Sequence, residues 1–96
     1  MKVELSEEAR GQVREIDAWW RENRPAARDL FARELANALT MLEQMPTLGT
    51  RYEEGSKPVR RILLRRSHYH LYFDEQAERL FVVAVWSAHR GRGPKL

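Results

Sequence analysis

The sequence predicts an α+β fold in the order β-α-α-β-β-β, a helical hairpin packed on a small antiparallel sheet. Three observations carry this. Apolar residues recur at spacings of three and four from Ala9 to Met45, the period of helices with one buried face. After Pro58 the period shortens, and β-branched and aromatic residues come in runs of strand length. Turn-forming residues fall between these runs, at Asn23 to Pro25, Pro46 to Gly49 and Asp74 to Glu78.

The elements follow in order. Lys2-Val3-Glu4-Leu5 alternates polar and apolar, as a short strand does. Ser6 can cap the helix that follows, with Glu7 and Glu8 where the helix dipole favours acids. Ala9, Val13, Ile16 and Trp20 share one face of it. Pro25 suits the first position of a second helix, whose stripe is Ala27, Leu30, Phe31, Leu35, Ala38, Leu39, Leu42 and Met45. Residues 47–58 read as a loop with one aromatic anchor, Tyr52. Val59 to Leu64 is a strand with Arg60 and Arg61 on opposite faces, and Tyr69 to Asp74 is its partner. Leu80 to Trp86, the most apolar segment, reads as a central strand. Residues 89–96 form a basic segment broken by glycine and proline.

Composition bounds the function. A length of 96 residues predicts one domain, 1–96. The absence of cysteine excludes disulfides, thiolate metal sites and a cysteine nucleophile. No apolar run approaches the ~18–20 residues that span a membrane, and the first residues lack the apolar stretch of a secretory signal. These features predict a cytoplasmic protein with no membrane partner. The formal net charge of +3 hides an asymmetry. Residues 1–50 carry seven basic and nine acidic groups, whereas residues 51–96 carry ten and five. Two acid-free blocks, Lys57 to Phe73 and Arg79 to Leu96, hold most of that excess. Because 14 of the 17 basic residues are arginine, the pattern suits forked contacts with carboxylates or phosphates. Two readings stand: a surface for an anionic partner, nucleic acid or acidic protein, or a solvated basic sheet face.

The element order and three strand segments resemble the RelE/ParE superfamily of toxins from bacterial type II toxin–antitoxin systems, with the ParE-like branch favoured. The likeness covers nearly the whole chain. It rests on Leu5-Ser6-Glu7-Glu8-Ala9, on the helix end Leu39, Leu42, Met45-Pro46 and Gly49, and most of all on the three strands. These are Val59-Arg60-Arg61-Ile62-Leu63-Leu64, Tyr69-His70-Leu71-Tyr72-Phe73 and Val82-Val83-Ala84-Val85-Trp86-Ser87-Ala88-His89-Arg90. The resemblance implies a toxin neutralised by a cognate antitoxin protein in a hetero-oligomer. RelE-like members cut mRNA on the ribosome, and ParE-like members poison DNA gyrase by binding.

RelE-like enzymes are understood to place two lysines on the strand after the hairpin, an arginine on the next strand, another after the last strand, and a C-terminal tyrosine. Here Arg61 stands at the first lysine position and Leu63 at the second. His70 replaces the first arginine, Arg90 matches the second, and the tyrosine position falls at about Leu96. The losses favour binding and gyrase poisoning. The alternative is a ribosome-dependent mRNA endonuclease using Arg61, His70 and Arg90, since histidine can serve as a base near neutral pH.

His68 and His70 are two apart on an expected strand and would share a face, able with His89 to hold a metal or a phosphate. Without a carboxylate or cysteine nearby, the ordinary reading as surface or packing residues is stronger, and neither a metal nor a cofactor is expected. No Gly-rich phosphate loop or serine nucleophile motif occurs. Adjacent helical positions point about 100° apart, so Trp20 continues the core stripe and Trp19 is left partly exposed. Trp19 either widens the apolar face or anchors a protein contact. Trp86 is core, or a floor beneath the basic surface. The surface expected to meet antitoxin or target comprises Arg60, Arg61, Arg65, Arg66, Arg90, Arg92 and Trp19.

Overall fold

A computed structural model describes residues 1–53 and 58–96. Glu54, Ser56 and Lys57, which the sequence reading placed in the loop and the basic block, lie outside the described residues. The elements are β1 (Lys2–Leu5), α1 (Glu7–Asn23), a 3-10 turn (Pro25–Ala27), α2 (Leu30–Gln44), β2 (Thr50–Tyr52), β3 (Val59–Leu64), β4 (Tyr69–Glu75) and β5 (Arg79–Ser87). Two helices pack on one face of a five-stranded sheet of order β1-β5-β4-β3-β2.

The expected antiparallel meander is β3-β4-β5, and the structure extends it at both edges. At one edge β1 runs parallel to β5, with Val3 opposite Leu80 and Leu5 opposite Val82, so the sheet is mixed. A parallel neighbour needs a crossover, and the helical hairpin supplies it. At the other edge Thr50–Tyr52 pairs antiparallel with β3. Three residues are too few for a period to show, so the sequence pattern alone predicts a loop there. Pro25 opens a 3-10 turn rather than a helix, and α2 begins at Leu30. Ala27 nevertheless packs against the core, as its stripe position suggested.

Ser6 caps α1, its hydroxyl accepting from the Ala9 N–H at 3.0 Å, an arrangement worth about 1 kcal/mol. β1 ends opposite Val82, so the later half of β5 has no strand on that side. α1 covers this edge, and the Gln12 side chain accepts from the Val85 N–H at 2.7 Å. A free edge is thus closed without another strand.

The core under the helices contains Phe31, Leu42, Leu71, Leu80 and Val82, all fully buried. Each such side chain contributes roughly 1.5–3 kcal/mol over the exposed state. Tyr69 joins three elements: its ring meets Phe31 edge-on at 5.1 Å, and its hydroxyl accepts from the Trp20 indole N–H at 3.1 Å. Trp20 is buried while Trp19 is 45% exposed, the split that their adjacent positions required.

A bulge in β5 sets what the opposite face carries. The register slips between Tyr72, which faces Ala84, and Phe73, which faces Val82. Leu80 and Val82 point to the helices before the slip, and Val85 after it. Ala84 and Trp86 therefore turn to the open face, where Tyr52, Val59 and Tyr72 form a second, smaller core.

The turn between β3 and β4 is tied to α2 by one carboxylate. Glu34 accepts from the N–H groups of Arg66 and Ser67 at 2.8 and 2.9 Å, and from the Ser67 hydroxyl at 2.6 Å. Partial burial would raise its carboxyl, but the Ser67 hydroxyl, the two N–H groups and the Arg66 guanidinium outweigh this and hold it below the usual value of 4.5. Glu34→Ala should cost about 1–2 kcal/mol in urea unfolding. The folded carboxyl titrates below the unfolded one. The contribution is therefore complete above about pH 4.5 and lost as pH falls through the lowered value. Wild type and variant should converge in acid; a constant gap across that range would contradict the assignment.

Candidate functional site

The open face of the sheet holds a shallow basin of about 630 Å³. β2 contributes Arg51 and Tyr52, β3 contributes Arg61, β4 contributes His70 and Tyr72, and β5 contributes Trp86. The segment after β5 adds Arg90 to Gly93 as a wall. Alternation along each strand explains this gathering. Arg61, His70 and Tyr72 each lie one residue from a helix-facing neighbour, so all three point away from the helices.

The floor is aromatic and the cations lie against it. Tyr52 and Tyr72 meet edge-on at 4.7 Å. The Arg61 guanidinium sits over Tyr52 at 5.2 Å and donates to the Tyr72 hydroxyl at 3.4 Å. Arg90 lies over Trp86 at 4.2 Å, and the Trp86 indole N–H donates to the Arg92 carbonyl at 3.0 Å. Such cation–ring contacts are worth about 0.5–1 kcal/mol at exposed sites, and they also hold each guanidinium in place. Burial, then the nearby Arg61 charge, push His70 below its usual value of 6.5, so its imidazole is neutral at pH 7.

Ion pairs divide the surface arginines without singling out the basin, since Arg10, Arg14, Arg24, Arg28, Arg65 and Arg66 also have none among the described residues. Arg21, Arg33, Arg60 and Arg79 each pair with a carboxylate. Among the described residues, Arg51, Arg61, Arg90 and Arg92 have no ion pair within 4.0 Å. Among the described residues one carboxylate, Glu53, lines the basin.

Of the residues singled out from the sequence, the structure brings Arg61, His70, Arg90 and Arg92 together. It separates the others. Arg60 points to the helix side, where it lies over Phe73 at 5.5 Å, donates to the Pro46 carbonyl and pairs with Glu75 at 3.1 Å. Arg65 and Arg66 sit on the β3–β4 turn, and Arg66 lines a different hollow beside Arg28, Arg33 and Asn37 of the helical layer. Trp19 borders a third hollow with Ile16, Tyr69 and Arg90, and Arg24 lies 5.5 Å from its ring. The six arginines and Trp19 therefore do not form one patch.

The histidines are a further correction. His68 is not on the strand; it sits in the turn before β4 with φ +65°, and its ring meets His89 at 4.8 Å. His70 instead faces Tyr72 at 6.0 Å. The expected shared face of His68 and His70 fails because β4 begins only at Tyr69. Among the described residues no group of three or more His, Asp or Glu is placed to hold a metal ion. Sequence reading missed Arg51, which lay in the presumed loop, and Tyr72 as part of the floor. The signal for Tyr72 was present in its two-residue spacing from His70.

Leu63 and Leu96 complete the picture. Leu63 is 44% exposed on the open-face side of β3, opposite His70. Leu96 packs against the floor formed by Tyr52, Val59, Tyr72 and Ala84. Neither offers a donor or a cation.

Gly93 permits the last segment to lie on this floor, since a Cβ there would overlap the Tyr52 phenol. Gly93→Ala should lift residues 91–96 from Tyr52. Trypsin cleavage after Arg90 and Arg92 should speed up several-fold while the thermal midpoint moves by only a few degrees. An unchanged cleavage rate would show that Tyr52 does not hold the segment.

Comparison with known proteins agrees with this geometry. The family model for the ParE toxin of the type II toxin–antitoxin system parDE matches residues 3–91. No curated protein matches the chain in sequence. Among solved structures, a chain of the chromosomal ParDE toxin–antitoxin system from P. aeruginosa shares the fold, with a TM-score of 0.74 and 14% identity. The match covers 93% of this chain and 97% of that one. A family match across most of the sequence, on a helical hairpin over a five-stranded sheet, shows that the chain belongs to the ParE toxin family.

Proposed function

We propose that residues 1–96 act as one toxin domain that a cognate antitoxin neutralises and that poisons DNA gyrase by binding it. The observation that carries the binding mode is the pair Leu63 and Leu96. They stand where a RelE-like nuclease would present a cation and a phenol, and here one is a bare side chain and the other packs into the floor. Cleavage of a phosphodiester needs a donor for the leaving oxygen and several cations around the crowded phosphate. The basin keeps Arg61, His70 and Arg90, with Leu63 and Leu96 at the two positions where a RelE-like site would add a cation and a phenol.

Family membership and the ParDE neighbour support the antitoxin partner. The separated positive and apolar features give it contact points: Trp19 on α1, and the arginines of the β3–β4 turn. Action on gyrase places the protein in the cytoplasm. In keeping with this, no helix among the described residues is long and apolar enough to cross a membrane.

Purified toxin should inhibit gyrase supercoiling, and the protein encoded beside it should restore activity. Arg61→Ala with Arg90→Ala should raise the toxin concentration needed by about tenfold. Full supercoiling at saturating wild-type toxin would reject the gyrase target. Transcripts cut at the ribosome in a His70-dependent way would replace it with the endonuclease reading.

A further inference from the structure

We propose that residues 91–96 are a displaceable strap over an apolar floor on the open face. The occupant that exchanges with it is an extended acidic protein segment with apolar side chains in the places of Pro94 and Leu96. This surface is separate from Trp19 and the β3–β4 turn, and it stands whether or not gyrase is the target.

The strap matches its floor in shape. Gly93 lies against the Tyr52 phenol, where a Cβ would overlap it. Pro94 is buried, and Leu96 packs against Tyr52, Val59, Tyr72 and Ala84. Little else fastens it. Residues 91–96 belong to no helix or strand. Among the described residues, the hydrogen bond that reaches them from the sheet runs from the Trp86 indole N–H to the Arg92 carbonyl, at 3.0 Å. On the α1 side the strap borders a hollow of about 610 Å³ with Val83, Ala84, Trp86, Glu8 and Gln12. A segment held by a few side-chain contacts and no ladder opens more easily than the fold as a whole.

The strap suits the same place badly in charge. It brings Arg92 and Lys95 to a face that already carries Arg51, Arg61 and Arg90. The ring against Gly93 is the one over which Arg61 sits, and the ring that holds the Arg92 carbonyl is the one beneath Arg90. Among the described residues, Glu8 and Glu53 are the carboxylates lining the two hollows. Like charges crowded within a Debye length, ~10 Å at 0.1 M salt, repel one another. A segment with the same apolar frame and carboxylates at the two cationic positions keeps the packing and turns that repulsion into attraction. While the strap is down the floor is covered, so the apparent Kd of such a segment is its intrinsic value divided by the open fraction.

The experiment follows trypsin cleavage after Arg90 in the full chain by mass spectrometry. Each rate is normalised to the free peptide of residues 88–96 in the same buffer. Opening of the strap alone exposes little surface, so 1 M urea should change the rate less than about twofold, whereas opening by global unfolding would raise it about fivefold or more. Raising KCl from 50 to 300 mM should slow cleavage about threefold by screening the repulsion. Arg92→Gln with Lys95→Gln, normalised to its own peptide, should be cut more slowly than wild type at 50 mM and should lose most of the salt response.

Three amidated hexapeptides then probe the floor. Gly-Glu-Gly-Pro-Glu-Leu should speed cleavage saturably by taking the place of the strap. Gly-Gln-Gly-Pro-Gln-Leu, with the anchors and no charge, should need at least fivefold more peptide. Gly-Glu-Gly-Ala-Glu-Ala, with the charge and no anchors, should have no effect. A global urea response would show that no independent strap exists. A rate that salt leaves unchanged or raises would remove the charge mismatch. Equal action of the neutral peptide, equal action of the anchor-free peptide, or no action of the acidic peptide at 10 mM would each overturn the proposed occupant.

Discussion

The structure depends on β5 being paired along both edges. β4 runs beside it from Tyr69 to Glu75, and β1 lies parallel to its first half. The parallel pairing requires the chain to leave β1, cross one face of the sheet and return, and the helical hairpin is that crossing. The two faces are then unequal by construction. One is sealed by Phe31, Leu35, Leu42 and Trp20, and the other is left to side chains that strand alternation turns outward.

That inequality explains how a chain of modest net charge presents a concentrated positive surface. On the helix side, Arg60 is drawn toward the Pro46 carbonyl and Glu75. Its immediate neighbour Arg61 points the opposite way, to the basin. Arginines adjacent in sequence thus serve different ends, one tying β3 to the Pro46 carbonyl and the end of β4, and one facing the basin with no ion pair among the described residues. The bulge at Val83 extends the effect. By shifting the alternation it keeps Val85 with the helices and brings Trp86 beneath Arg90.

The residues differed in how clearly they announced their roles. Ser6, Trp20, Phe31 and Leu42 were legible because capping and helical periodicity are local properties. The opposite pointing of Arg60 and Arg61 was legible for the same reason. β2 was not, since Thr50–Tyr52 is a strand only by virtue of β3 beside it. The start of α2 was displaced to Leu30 because a proline favours the first turn of either helix type, and a 3-10 turn satisfies it equally. His68 appeared to continue β4, yet its positive φ ends the pairing one residue later.

By itself the sequence determined the helical hairpin, the three-strand meander, the identity of the core stripes and the excess of arginine in the second half. These depend on periodicity and composition, which act over a few residues. Only the tertiary structure decided which arginines meet. Arg51, Arg61, Arg90 and Arg92 come from an edge strand, an inner strand and the segment beyond the last strand, whereas Arg65 and Arg66 are carried off to a turn fastened by Glu34. The physical reason is that register, a bulge and a parallel crossover are relations between distant segments, and no local pattern encodes them.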